Sequence, residues 1–200
     1  CALVAPRHFP RGLVMVEPAP ALIAGRPVVI KPAAETPLDL RVLMEAAVAA
    51  SIPAGVINVI TGGRETGSLL VQHPLVDKVA FTGSTEAGRI IAQQCGSLLR
   101  PVTLELGGKS AAILLDDVDL DYFGTMLNRT CLRNTGQTCY NSTRILAPRS
   151  RYGEIVELAA GVVASTKQGD PLELDTVYGP TVSARQRDRA AIAGMDRKLM

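Results

Sequence analysis

The chain has 200 residues, 47% of them hydrophobic and 20% charged, with 18 Gly and 13 Pro, which excludes a disordered tail or a coiled array and leaves room for one ordinary domain or parts of two. Its 21 Lys and Arg against 19 Asp and Glu give a net charge of +2, and neither sign gathers into a run, so a nucleic-acid or anionic-membrane surface is not expected. Apolar stretches near Leu13–Val16 and Ala46–Ile60 are broken by Glu17, Pro18, Ser51, Pro53 and Gly55, too early for a membrane span of roughly 20 residues.

In chain order, Val28-Val29-Ile30 has the β-branched make-up of a buried strand and runs into Lys31-Pro32. Thr36 is placed to cap a helix with Pro37 first and Asp39 at N3. Leu40, Leu43, Met44, Ala47 and Val48 would form its apolar face. Ser51-Ile52-Pro53 ends that helix. Val56–Ile60 reads as a second buried strand closing into Thr61-Gly62-Gly63. A third strand, Lys78–Phe81, leads to Thr82-Gly83-Ser84-Thr85, and Ala87, Ile90 and Ile91 predict a helix opening near Ser84. Val102–Leu106 is a fourth strand. After the hinge-like Gly107-Gly108 come a strand at Ala111–Leu115, an acidic helix start at Asp116–Asp121, and a helix carrying Leu120, Phe123 and Leu127. A last helix would present Tyr152, Ile155, Val156, Ala159, Val162 and Val163 on one face. Alternating strands and helices predict an α/β fold with a parallel sheet, whose ligands sit beyond the carboxyl ends of the strands.

Three local features carry chemistry. Gly83–Gly88 follows a strand and opens a helix, so its backbone N–H groups suit a phosphate; it lacks the Lys of a P-loop and the spacing of an ordinary dinucleotide motif, and a simple strand-to-helix turn fits equally. Cys139 lies in the polar segment Asn134–Tyr140, where a thiol is reachable, although a single cysteine is most often a small buried hydrophobe. Glu105 interrupts an apolar strand beside two glycines, as a general base or merely as a carboxylate facing water. The four cysteines form no CxxC pair and His8 and His73 are the only histidines, so no metal site is expected. No secretion signal follows Cys1, and reduced thiols fit a cytoplasmic setting.

Taken together, FTGSTEAGR (Phe81–Arg89), VTLELGGKS (Val102–Ser110) and NTGQTCYNSTRI (Asn134–Ile145) resemble three signature segments of the NAD(P)-dependent aldehyde dehydrogenase superfamily, in the family's order. VVIKPAAETPL (Val28–Leu38), GVINVITG (Gly55–Gly62) and GDPLELDTVYGP (Gly169–Pro180) extend the likeness over nearly the whole chain, leaving a dissimilar tail from about Ala190 to Met200. The resemblance implies a Rossmann-like cofactor domain over residues 1–106 and part of an α/β catalytic domain over 107–200. It implies oxidation of a small-molecule aldehyde to a carboxylic acid with NAD or NADP, through a thiohemiacetal and a thioester on Cys139. Glu105 would be the base that activates water. Lys31 would lie near the adenosine ribose, the helix after Gly62 beside the adenine, Gly83 and Ser84 at the pyrophosphate, and Phe81 and Leu106 on the nicotinamide side. Cys95 and Cys131 are left to packing.

The chain departs from the family in three respects. His8 and Arg7 in Pro6-Arg7-His8-Phe9-Pro10 stand where the family has Asn and Trp, so His8 would replace the amide as oxyanion donor. Ala34 stands where many members carry a ribose-binding Glu, with Glu35 alongside. The 200 residues are less than half the family's usual length, which implies a fragment, and the resemblance implies that its parent is a homodimer or homotetramer. Two other readings account for some of these residues: a truncated, catalytically inactive member of the family, or a cysteine hydrolase using Cys139 and Glu105 without a nucleotide.

Overall fold

The computed structural model describes residues 1–195 and divides into two units, Cys1–Gly107 and the chain from Gly108 onward. In the first unit, Ala2–Val4 (β1), Val28–Lys31 (β2), Ile57–Val59 (β3), Val79–Gly83 (β4) and Val102–Leu106 (β5) form one parallel sheet in the order β3-β2-β1-β4-β5. The helices Pro10–Val16 (α1), Ala19–Ile23 (α2), Asp39–Ala49 (α3), Arg64–Gln72 (α4) and Thr85–Ser97 (α5) alternate with the strands. From β1 the chain builds outward through β2 to β3, then returns to lay β4 against the other side of β1. Such a reversal opens a crevice at the carboxyl ends of β1 and β4.

Both faces of the central strands are covered, whereas the edge strand β5 leaves Thr103 and Glu105 exposed on one face, and the period-2 alternation of the strands decides which residue faces where. Leu3, Val28, Ile30 and Ile57 pack with Val14 of α1 and Leu40 and Ala47 of α3. On the other face, Ala2, Val79 and Phe81 pack with Leu70 and Val71 of α4 and Ile91 and Cys95 of α5. Fully burying one such aliphatic side chain contributes roughly 1.5–3 kcal/mol, so these two clusters supply most of the unit's cohesion.

Within this sheet β1 is the strand the sequence does not announce: it has three residues, too few for a periodicity, yet it pairs on both sides, and β7 of the second unit, Arg144–Leu146, is likewise unannounced. The predicted cap also moves. α3 starts at Asp39 with Leu38 at its N-cap, because Thr36 N–H donates to the Ala33 carbonyl in a turn and Thr36 Oγ1 has no partner. Within α3, Val48 is exposed rather than part of the apolar face. Ile60 lies past the end of β3, although its N–H still donates to the Ile30 carbonyl at 2.9 Å.

In the second unit, Ala111–Ile113 (β6) and Arg144–Leu146 (β7) form a two-stranded parallel sheet. The helix Leu120–Thr130 (α6) is capped by Asp119, whose Oδ1 accepts from Tyr122 N–H at 3.0 Å. Phe123, Leu127 and Cys131 of the α6 segment pack with Ile155, Leu158 and Val162 of Tyr152–Ser165 (α7). Tyr152, Val156 and Val163 are exposed, which corrects the predicted six-residue face: α7 meets α6 along a narrower stripe than its composition suggests. The helix Ala184–Met195 (α8) follows, and residues 196–200, part of the tail singled out above, lie outside the described residues.

Candidate functional site

The predicted residues of the first unit gather on one rim of its sheet. His8 follows β1, Lys31 ends β2, Gly62 follows β3, Gly83 ends β4, and Glu105 and Leu106 end β5. Parallel pairing puts all of these strand ends on the same edge, which a reader of any one motif cannot see. Ser84 caps α5, its Oγ accepting from Ala87 N–H at 3.2 Å. Two glycines let the elements close up there: a Cβ on Gly83 would stand 2.5 Å from the Phe81 ring and one on Gly88 2.6 Å from Leu106. Gly62 has φ +154°, and a Cβ on it would overlap the Thr66 side chain, so the entry to α4 also requires glycine.

Lys31 is buried, with 6% of its surface exposed, and its Nζ donates to the Pro32 carbonyl at 2.7 Å. An ammonium has three donors, so one carbonyl leaves this one short of acceptors. Burial lowers its pKa, partly offset by the charge of Glu35. Gly67 of α4 lies over the lysine stem, where a Cβ would come within 3.4 Å of its Cδ. A buried cation lies on this rim with two helix openings, α4 after Gly63 without a side-chain cap and α5 after Ser84. That donor set fits the phosphates and ribose hydroxyls of a dinucleotide.

His8 is half-buried, and its Nε2 is enclosed without a hydrogen-bond partner. Burial, then the charge of Arg7, lowers its pKa, favouring the neutral imidazole. The neighbouring Phe9 holds φ +45°, a left-handed conformation that a bulky residue adopts at a cost of about 1–2 kcal/mol. Across the crevice, Thr82 is buried on β4 and donates its hydroxyl to Glu17 Oε1 at the end of α1. Thr82 is also the register partner of Glu105 on β5.

In the second unit, Cys139 sits half-buried in the loop between α6 and β7, whereas Cys131 is 2% exposed in the α6–α7 core and Cys95 of the first unit is 0% exposed. The loop is tied down from inside. Thr138 Oγ1 and Asn141 Nδ2 both donate to the Arg133 carbonyl, at 3.2 and 3.0 Å, and both side chains are buried. Asn134, Thr135 and Gly136 have φ of +56°, +54° and +72°. A β-branched residue in that region marks strain, which the surroundings must hold. The later segment supplies the hold: Thr135 Oγ1 donates to the Gly179 carbonyl at 3.2 Å, and Val182 N–H donates to Gln137 Oε1 at 3.0 Å. Gly108 passes so close that a Cβ would stand 3.1 Å from the Cys139 carbonyl oxygen.

A family model described as "Aldehyde dehydrogenase family" matches residues 1–195. The chain belongs to the aldehyde dehydrogenase family. The match runs into the tail from Ala190, which the sequence reading had set apart. The chain is 56% identical over 185 residues to a geranial dehydrogenase of Castellaniella defragrans, covering 92% of this chain and 39% of that protein. It is 43% identical over 188 residues to a phenylacetaldehyde dehydrogenase of Pseudomonas fluorescens, covering 94% and 38%. Among solved structures, a Mycobacterium tuberculosis aldehyde dehydrogenase complexed with NAD+ superposes with a TM-score of 0.93 at 43% identity, over 98% of this chain and 41% of that one. An E. coli NADP-dependent enzyme superposes with a TM-score of 0.87 at 37% identity, over 92% and 38%. The chain thus spans about two fifths of the length of the relatives it matches.

Sequence reasoning passed over Glu17, Thr82, Thr138 and Asn141. Glu17 registered only as a break in an apolar stretch, and a charged residue ending such a run was the signal available. Thr138 and Asn141 flank Cys139 as ordinary loop polars; only their burial marks them.

Proposed function

We propose that the protein carrying this chain oxidises an aldehyde to a carboxylic acid with NAD or NADP, with Cys139 as nucleophile and Glu105 as base. One observation carries the reading: the half-buried Cys139 thiol sits on a strained loop fixed by buried Thr138 and Asn141, in a chain of this family. Residues 1–106 would serve the dinucleotide and residues 107–200 the thiol chemistry.

The Cys139 thiolate adds to the carbonyl carbon, forming a C–S bond and an alkoxide oxygen. A neutral His8 can donate one N–H to that oxygen, in the role an amide would otherwise fill. A nicotinamide dinucleotide, when bound, supplies the acceptor for the hydride that leaves the same carbon. The product on the enzyme is a thioester. Glu105 takes a proton from water, the water oxygen adds to the thioester carbon, and the C–S bond breaks to return the thiolate and release the acid. Lys31 and the α4 and α5 openings, with Gly62, Gly83 and Ser84, would hold the dinucleotide, and Phe81 and Leu106 its nicotinamide side. Glu35, whose field reaches Lys31, is the carboxylate available to ribose hydroxyls where Ala34 offers none. The names of the two relatives described above, which are 56% and 43% identical to this chain, favour geranial, phenylacetaldehyde or an aldehyde like them as substrate.

The test is reduced-nucleotide formation with geranial and phenylacetaldehyde, combined with mass spectrometry of the quenched enzyme. An acyl adduct on Cys139, lost in Cys139→Ala together with turnover, supports the reading. Turnover that survives Cys139→Ala overturns it.

A further inference from the structure

Glu17 is a carboxyl that the proposed reaction does not use. It closes α1, and its Oε1 accepts the Thr82 hydroxyl while its Oε2 is enclosed without a partner. Thr82 and Glu105 are Cα partners on adjacent parallel strands, so their side chains leave the same face of the sheet about 4.8 Å apart at the backbone. That face is the one on which Val14 of α1 packs, and it is opposite to the face of Lys31, which shares the Val4–Phe81 row. The Glu17 carboxyl thus binds Thr82 from α1, and the exposed Glu105 leaves the same face from the neighbouring strand, near enough for its charge to act on Glu17.

Two cations of the helices on this face are paired with other carboxylates. Arg11 of α1 lies 4.0 Å from Asp39 of α3, and Arg41 donates to Glu45 on α3 itself. Arg7 and His8 precede α1, whose other end Glu17 closes. β1 and α2 carry no ionisable side chain. Burial raises the pKa of Glu17, the Thr82 hydrogen bond opposes that rise, and the charge of Glu105 adds to it. Like charges in one site make each carboxyl's proton affinity depend on the other's charge.

We propose that Glu17 is a positioning residue for Glu105: the two form a coupled carboxyl pair across Thr82, and ionisation of Glu17 makes Glu105 the stronger base toward water. The inference rests on the reading of Glu105 as the deacylating base, but its core, the coupling, has a readout of its own. Isotope-edited infrared spectroscopy of the full protein follows the protonated Glu17 carboxyl against pH, in wild type and in Glu105→Gln. The expected result is that Glu17 ionises at lower pH once Glu105 is neutral; an unmoved midpoint overturns the coupling whether or not Glu105 is catalytic, and leaves Glu17 intact in the variant so that misfolding at Glu17 cannot obscure it. Thioester hydrolysis measured against pH then tests the consequence. Wild type is expected to gain rate through the range in which Glu17 ionises, and Glu17→Gln to lose that gain. Curves for wild type and Glu17→Gln that run parallel at every pH would show a structural role only and overturn the positioning role. Full hydrolysis in Glu105→Gln overturns the reading of Glu105 as base, and with it the catalytic half of the inference, while the infrared result still decides the coupling.

Discussion

The two units place their chemistry on opposite kinds of support. In the first, most candidate residues stand at or just past strand ends or at helix starts, on a sheet whose central strands are buried on both faces. In the second, the candidate nucleophile stands on an irregular loop whose backbone is strained and whose rigidity comes from buried hydrogen bonds and a segment some forty residues later. A cofactor needs a fixed cradle, and regular elements supply one without local cost. A thiol that must be reachable and yet precisely aimed is served by a turn that holds strain.

The comparison can be broken most severely at Cys139. Cys139→Ala should reduce aldehyde oxidation by at least about 1000-fold, as removal of a covalent nucleophile does, with no loss of thermal stability. A calorimetric scan beside the kinetic assay separates the two effects. Leu3→Ala, which opens a cavity at the fully packed centre of the sheet, should cost about 2–5 kcal/mol in denaturant unfolding. Asn141→Leu should act differently: it removes a donor to the Arg133 carbonyl, and activity should fall because the loop loses its internal tie, a change that hydrogen exchange at 134–141 would register. Ser84→Ala removes the α5 cap and should cost about 1 kcal/mol, together with weaker dinucleotide binding by titration calorimetry. The smallest effect concerns pH. His8 has a lowered pKa in the fold, so its contribution to stability is present above its unfolded value and lost as pH falls through the folded one. His8→Asn should flatten the decline in melting temperature on the acid side of pH 6.5.

The sheet was largely legible because four of its five strands fall in mostly β-branched or apolar runs bounded by Gly and Pro, and because Ser84 and Asp119 cap helices through side chains whose preference is local. What stayed hidden depends on partners distant in the chain. β1 has three residues and takes its identity from β2 and β4. The bounds of α3 depend on a turn at Ala33–Thr36 that outcompetes a plausible cap. The burial of Lys31 follows from Gly67 on a helix more than thirty positions later, whereas a lysine is ordinarily solvated. Cys139, Glu105 and Gly83–Gly88 stand out as local features, and the resemblance to a family gives them roles and adds the other candidates; the carboxyl of Glu17 becomes visible only through its hydrogen bond to Thr82.

The position of β1 has a bearing on how the chain assembles. Residue 2 pairs with residue 29 on one side and with residue 79 on the other, so a three-residue strand is the seam between two half-sheets. One half can close early on local contacts. The other side of the seam stays open until the segment around residue 79 has left the ribosome, and a long-range pairing of this sort slows folding. During that interval β1 offers an unpaired edge of the type that invites association between nascent chains. Residues 2–4 thus govern not only where the crevice lies but how long the growing polypeptide is exposed to aggregation before it exists.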